Sequence, residues 1–415
     1  VDQLDRSSDY GSRLLLKKSY KSYLFLIFLS SARVVQFCYF FFVKIIKLTF
    51  LFLFLTSAAH SRHDTFYYYF NFFHNKTEIP GSQNYYKFKK ELTHDPYVEE
   101  QLNDFKTGLF SYLFYKDGKI IIDQHTLPAY IVNNQGLITS NSVGKSLVSY
   151  LAGYAICGGY IENVDVKLND WSLIKNTLYE DQKLIDILNM KAGDQRYIGE
   201  YYFDKNYKDN FLKKERVSVN QISIKDLMDN YFQNTKKSSS VYNYNALATN
   251  VVMNYVIFKV GDDYKKLLKK IFQDDAKTKG NVYFLGNGTD PANGTSWYGF
   301  YASRYDYLRI AKAMMDHWNN DTCVGKYLKT IYDRRIKKNF KEYRPTHLHT
   351  YSYRYGGQFH FDIVGMRKRK IIGLDGFGGQ QILIDVEKKA ILVVNATMTH
   401  YNWKKIIHKR LKDLD

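Results

Sequence analysis

The sequence predicts an α+β fold, an antiparallel sheet flanked by helices with a mostly helical subdomain inserted between its strands. Three stretches carry that reading. Phe110 to Tyr115 and Ile120 to Asp123 are short apolar runs around Lys116-Asp117-Gly118-Lys119, and Asp-Gly in that setting makes a β-hairpin. Val143, Leu147, Leu151 and Ala155 recur every four residues beside Val148, Ala152 and Ile156, the wide stripe of a buried helix. Near the C-terminus, an apolar strand ending at Asp385 meets Ala390 to Val394 across Val386-Glu387-Lys388-Lys389, a second hairpin that follows a glycine-rich run. A sheet begun by the first hairpin and completed by the last, with helices between, belongs to the α+β class.

The chain has 415 residues, enough for a sizeable core, with 45% hydrophobic and 24% charged residues. Its 38 Tyr and 28 Phe against 5 Pro resemble the drift of an AT-rich coding sequence. The net charge of +19 comes from scattered lysines without a nucleic-acid-binding signature, so nucleic acid is not an expected partner. Cys38, Cys157 and Cys323 make no disulfide framework; Cys157 reads as a buried thiol, with a bridge to Cys323 as the alternative. There is no CxxC or HExxH spacing, and His347-Leu348-His349 lacks a third ligand nearby, so no metal is expected.

In chain order, residues 1–59 read as an upstream extension followed by a signal peptide. Lys44-Ile45-Ile46-Lys47 precedes apolar Leu48 to Leu55 and then Thr56-Ser57-Ala58-Ala59. A secreted or periplasmic location follows; the rival is an uncleaved anchor, the one route to membrane attachment. Residues 60–96 read as a linker or arm, and 97–415 as the domain, starting with a helix over Tyr97 to Phe105. The helical subdomain spans roughly 160–310. Within it Ile161 to Trp171 is turn-rich, Ile185 to Met190 a short helix closing on Gly193, and 195–240 a polar insertion beside the site. Val241 to Val252 leads into an apolar helix through Val260. Ser296 to Ala311 reads as a loop and helix start, whose Met314, Met315 and Trp318 are core, and Asn402 to Leu414 as a basic amphipathic helix over the sheet.

Ser142 is the candidate nucleophile. It stands at the start of the apolar helix, among the capping oxygens of Ser140, Asn141 and Ser142, where free N–H groups favour developing negative charge. Lys145, three residues on, is placed to take its proton. The spacing alone decides nothing, because Ser172-Leu173-Ile174-Lys175 repeats it at what reads as an exposed helix start. Tyr242 and Tyr244, ahead of the next buried helix, offer a phenol that could shuttle a proton.

Taken together, Ser142-Val143-Gly144-Lys145, Leu188-Asn189-Met190-Lys191-Ala192-Gly193, the tyrosine segment, Gly299-Phe300-Tyr301-Ala302-Ser303 with Asp306, and Gly376-Phe377-Gly378-Gly379-Gln380 occur in an order that resembles the serine β-lactamase-like, penicillin-recognising hydrolases. Among its branches, the chain most resembles the class C and esterase group that includes 6-aminohexanoate-dimer hydrolases. The resemblance covers roughly residues 100–400. It implies a β-lactamase/transpeptidase-like fold and acyl transfer through Ser142, with Lys145 as base. Tyr244, selected by its distance from Val251-Val252, would be the proton shuttle. The backbone N–H groups of Ser142 and Phe377 would form the oxyanion hole, with Asp375, Gly376 and Gly378 lining the substrate pocket, and no metal or organic cofactor is implied. The substrate is then a small amide or ester. Ala192 stands where the pattern has serine, and two further positions depart from it: Ala246 stands where a polar residue is usual, and Leu374-Asp375-Gly376 stands where Lys-Thr-Gly or His-x-Gly is usual. The second departure removes the cation that engages a β-lactam carboxylate and puts there an aspartate that would repel one. The alternative reading is a non-catalytic or penicillin-binding cell-wall-associated protein of the same fold.

Overall fold

The computed structural model describes residues 75–126, 136–198, 222–238, 240–286, 288, 290–339 and 348–414. All belong to one unit, Phe70–Asp415. The signal-peptide reading and most of the 195–240 insertion lie outside the described residues.

The strands are β1 (Lys76–Ile79), β2 (Lys89–Lys90), β3 (Leu109–Lys116), β4 (Lys119–His125), β5 (Ile138–Thr139), β6 (Val282–Gly286), β7 (Ser296–Ala302), β8 (Ile336–Lys337), β9 (Ser352–Gly356), β10 (Phe359–Ile363), β11 (Ile371–Gly376), β12 (Gln380–Asp385) and β13 (Ala390–Ala396). Nine form one sheet in the order β2-β4-β3-β13-β12-β11-β10-β9-β8, and four form a second in the order β1-β6-β7-β5. Only β2 and β4 pair in parallel among the described strands. The α-helices are α1 (Pro96–Asn103), α2 (Val143–Cys157), α3 (Leu184–Leu188), α4 (Ile224–Leu227), α5 (Leu247–Val260), α6 (Tyr264–Lys269), α7 (Arg304–Asn319), α8 (Cys323–Asp333) and α9 (Lys409–Lys412). The architecture is α+β, as the sequence predicts.

The β3–β4 turn has Asp117 at φ 46° and Gly118 at φ 89°, the left-handed pair a two-residue hairpin needs. At α1, Asp95 Oδ1 accepts the N–H groups of Tyr97 (2.9 Å) and Val98 (3.2 Å), and Pro96 fills the first turn, where its missing N–H costs nothing. Trp403, Ile406, Ile407 and Leu411 of the C-terminal segment join Tyr112, Leu392 and Val394 in one core cluster, so the terminal turns cover the large sheet.

Four expectations are corrected. Residues 76–90, read as an arm, enter both sheets: β1 pairs with β6, and β2 with β4. Ser296–Ala302, read as a loop, is strand β7, because its alternating aromatics pair with β6 and send Phe300 into the core. The region 160–310 therefore holds two of the four strands of the small sheet as well as helices. Ile371–Gly376 is itself a strand, paired with β12 through the turn at Phe377–Gly379, so the glycines sit between two strands and not before the first. Cys157 is no free thiol; it bridges to Cys323 with the Cα atoms 5.8 Å apart, tying the end of α2 to the start of α8.

Helix α2 is fully enclosed through Ala155. It packs on β7 of the small sheet, β11 of the large sheet, and helices α5 and α8. Among the described residues no helix is long and apolar enough to cross a membrane.

Candidate active site

The start of α2 is locked to β7 before the helix begins. Ser140 N–H donates to Phe300 O (2.7 Å), and Ser140 Oγ accepts the Phe300 N–H (3.0 Å). Asn141 then takes φ 47°, and the helix opens with Val143 N–H to Ser140 O, Gly144 N–H to Asn141 O and Lys145 N–H to Ser142 O. Ser142 occupies the cap position, yet its side chain makes no capping bond. The hydroxyl expected to cap is thus not committed to the helix. Its N–H precedes the first intrahelical donor, as an anion-binding N–H should.

Two glycines allow this point to be approached from both sheets. A Cβ on Gly144 would lie 2.0 Å from Tyr298 O, and one on Gly376 would lie 2.6 Å from Ser140 O. Gly144 is therefore demanded by packing, whatever the chemistry.

Lys145 is 1% exposed. Its Nζ donates to Asn245 O at 2.7 Å and lies 4.2 Å from the Tyr298 ring centroid and 4.7 Å from that of Tyr244. An amine buried between two aromatic faces and a carbonyl is an expensive arrangement for a structural lysine. Tyr244 is half-buried, its ring edge-on to His349 (4.7 Å, 86°) and to Tyr355 (5.9 Å, 86°). Tyr242 packs elsewhere on Tyr355, at 5.2 Å.

The segment carrying Tyr244 is held by residues the sequence reading passed over. Asp194, fully buried, accepts from Asn243 Nδ2 (2.7 Å), Asn245 Nδ2 (3.1 Å) and the Tyr179 hydroxyl (2.8 Å). Burial raises the Asp194 carboxyl above its ordinary range, and these three donors oppose the rise. Asn245 Oδ1 also accepts the Ala248 N–H (2.8 Å), doing for α5 what Ala246 at the cap position cannot. The alternation Asn243-x-Asn245, ending two residues before an apolar helix, was the available signal.

On the other side, Asn141 Nδ2 donates to Phe377 O at 2.8 Å, which ties the turn after β11 to the residue before Ser142. The turn needs left-handed backbone at Gly378 (φ 78°) and Gly379 (φ 91°), and the Phe377 side chain is left 65% exposed. The structure so gathers Ser142, Lys145, Tyr244, Gly376 and Phe377 around one end of α2.

With this geometry, sequence comparison is silent: no family model matches the chain, and no curated protein sequence matches it. Solved structures do. A Bacillus anthracis protein assigned as a 6-aminohexanoate-dimer hydrolase superposes with a TM-score of 0.59 at 14% identity, covering 84% of this chain and 91% of that one. An octameric penicillin-binding protein homologue from Pyrococcus abyssi gives 0.53 at 15% identity, over 77% and 76%. A penicillin-binding protein from Bacillus halodurans gives 0.52 at 13% identity, over 77% and 100%. The chain has the serine β-lactamase-like fold.

Within that serine β-lactamase-like fold, Gly299 to Asp306 turns out to be architectural. Ser303 Oγ accepts the Asp306 N–H (3.1 Å) at the start of α7, and the buried Asp306 carboxylate accepts the N–H groups of Lys279 (2.7 Å) and Gly280 (3.1 Å). Asp375, expected as a charged wall of the pocket, behaves differently. Strand alternation puts it on the face opposite Gly376, the face on which Gly373 meets Leu348 and His360. Burial pushes the Asp375 carboxyl up to about 7, against the opposing pull of Lys338, the His349 N–H and the Gln381 side chain. A carboxyl titrating near neutrality is a weaker repeller of anions than a full carboxylate. Leu374 is 0% exposed. His347 lies outside the described residues, but ligating atoms of His349, His360 and Asp375 fall within 4.8 Å of one another. The His360 and Asp375 partners are remote in sequence, so no spacing motif could have grouped them. Gly378 meets Thr397 O, where a Cβ would approach to 3.0 Å, and serves the turn.

Proposed function

We propose that the protein is a serine hydrolase that cleaves a small amide or ester through an acyl-enzyme on Ser142. The observation that carries this reading is the Lys145 amine, nearly one helical turn on from Ser142 and buried between Tyr244, Tyr298 and the Asn245 carbonyl. Ser142 Oγ attacks the carbonyl carbon as its proton passes to Lys145 Nζ. The oxyanion takes the N–H groups of Ser142 and Phe377. Tyr244 passes a proton to the leaving amine or alcohol as the C–N or C–O bond breaks, and water repeats the cycle on the acyl ester.

The buried Leu374 leaves β11 without an accessible cation next to the turn, which favours amides and esters over β-lactams. The aromatic surroundings of Lys145 and the exposed Phe377 suit an uncharged or apolar group there. A secreted or periplasmic location is supported by the Cys157–Cys323 bridge, since such bonds persist in oxidising compartments. The test is a screen of p-nitrophenyl esters, a linear 6-aminohexanoate dimer and a chromogenic cephalosporin. Ester or dimer turnover that disappears in Ser142→Ala is expected; no turnover of any of them, with Ser142 inert to a fluorophosphonate, would favour the non-catalytic alternative.

A further inference from the structure

Behind Tyr244 lies a polar cluster that acyl transfer does not use: Lys338, His349, His360 and Asp375, on and around β8 to β11. Its two imidazoles and one carboxylate are the donor set of a zinc site. Lys338 argues against that role. It is 0% exposed, and its Nζ donates to His349 O (2.7 Å), Ser352 Oγ (2.7 Å) and His360 Nδ1 (3.2 Å). An ammonium has three N–H donors and no acceptor, so His360 Nδ1 accepts and the ring proton resides on Nε2. A protonated ring nitrogen has no lone pair for a metal, and the adjacent ammonium repels a cation.

The same contacts hold His349 by its backbone from two sides. Lys338 binds its carbonyl, and the His349 N–H bonds the Asp375 carboxyl. Ser352 Oγ in turn donates to Leu348 O (2.7 Å), fixing the preceding residue. The His349 ring is thereby set edge-on against Tyr244 at 4.7 Å, on a ring whose centroid lies 4.7 Å from Lys145 Nζ. His360 backs His349 at 5.0 Å.

We propose that His349 is a positioning residue for Tyr244, clamped through its backbone by Lys338 and Asp375 so that the phenol ring stays against Lys145. The proposal rests on Tyr244 being the proton shuttle. A loosened shuttle slows proton transfer and leaves substrate binding alone, so the effect falls on kcat and not on KM.

The experiment measures kcat and KM of His349→Ala, His349→Phe and Lys338→Met on the best ester, with thermal melts as folding controls. Loss of kcat on the order of 10-fold to 100-fold is expected for His349→Ala, with KM nearly unchanged. The ring in His349→Phe should restore most of it, and Lys338→Met should resemble His349→Ala. Nitrogen-15 NMR of the wild type, which needs no activity, should show His360 as the Nε2–H tautomer. Unchanged kcat in a folded His349→Ala overturns the proposal. So does the Nδ1–H tautomer, or one zinc bound per chain with loss of the His360 Nε2–H signal. If the wild type hydrolyses nothing and Ser142 resists fluorophosphonate, the hydrolase reading fails first, and the tautomer result shows separately whether the clamp exists.

Discussion

Ser142-Val143-Gly144-Lys145 and Ser172-Leu173-Ile174-Lys175 have the same spacing, and the backbone treats them alike: Lys145 N–H donates to Ser142 O at 3.0 Å, and Lys175 N–H to Ser172 O at 3.2 Å. Their surroundings differ. Lys145 is enclosed by two tyrosine faces and a carbonyl, whereas Ser172 and Lys175 are exposed at the ends of a single 3₁₀ turn. The third position separates them as well: glycine is forced by Tyr298 in the first, while Ile174 fills the core in the second. The contrast teaches that three-residue spacing is cheap, and that enclosure makes a lysine chemically useful.

The contrast breaks most visibly at the lysines. Lys145→Ala should lower kcat by on the order of 10²- to 10⁴-fold, the usual worth of a general base, while Lys175→Ala and Ser172→Ala leave it unchanged; ester hydrolysis on the purified variants measures both. Next in size is the bridge holding the far end of α2, a tie the Ser172 turn does not have. Its reduction should lower unfolding free energy by about 2–4 kcal/mol, read from denaturant melts with and without reductant.

A smaller loss, about 1–3 kcal/mol, is expected from Gly144→Ala, whose Cβ must displace the Tyr298 carbonyl. Thermal melts should show it, and unchanged stability would mean that β7 yields more easily than its packing implies. A separate effect is a pH slope from Asp375. Its folded carboxyl titrates near 7, above the ordinary value of 3.8 that the unfolded chain retains. The folded state therefore binds more protons between about pH 4 and 7, and stability falls as pH rises through that window. Asp375→Asn should remove this fall; identical slopes in the two proteins would mean that the carboxyl is better solvated than its surroundings suggest.

Much of the fold was legible because its signals are local. Asp117-Gly118 names a hairpin, and the four-residue period of Val143 to Ala155 names a buried helix. Strand β7 was not legible, because an aromatic run carries no turn signal and becomes a strand only when β6 pairs with it. The site divides in the same way. Ser142, Lys145 and Tyr244 could be chosen from motif order, whereas Asn245, Tyr298 and Lys338 act through a carbonyl, a ring face and a buried amine brought in from distant segments. No spacing announces a contact of that kind. Asp375 shows the reverse error: its residue type suggested a fixed negative charge, and burial moved its titration to neutrality.

The most direct measurement is the site of covalent labelling by an active-site-directed fluorophosphonate on the folded protein, located by peptide mass spectrometry. The adduct should fall on Ser142 and not on Ser172, and should form much more slowly in Lys145→Ala. An unlabelled Ser142, or labelling that ignores the loss of Lys145, would contradict a nucleophile activated by its buried lysine.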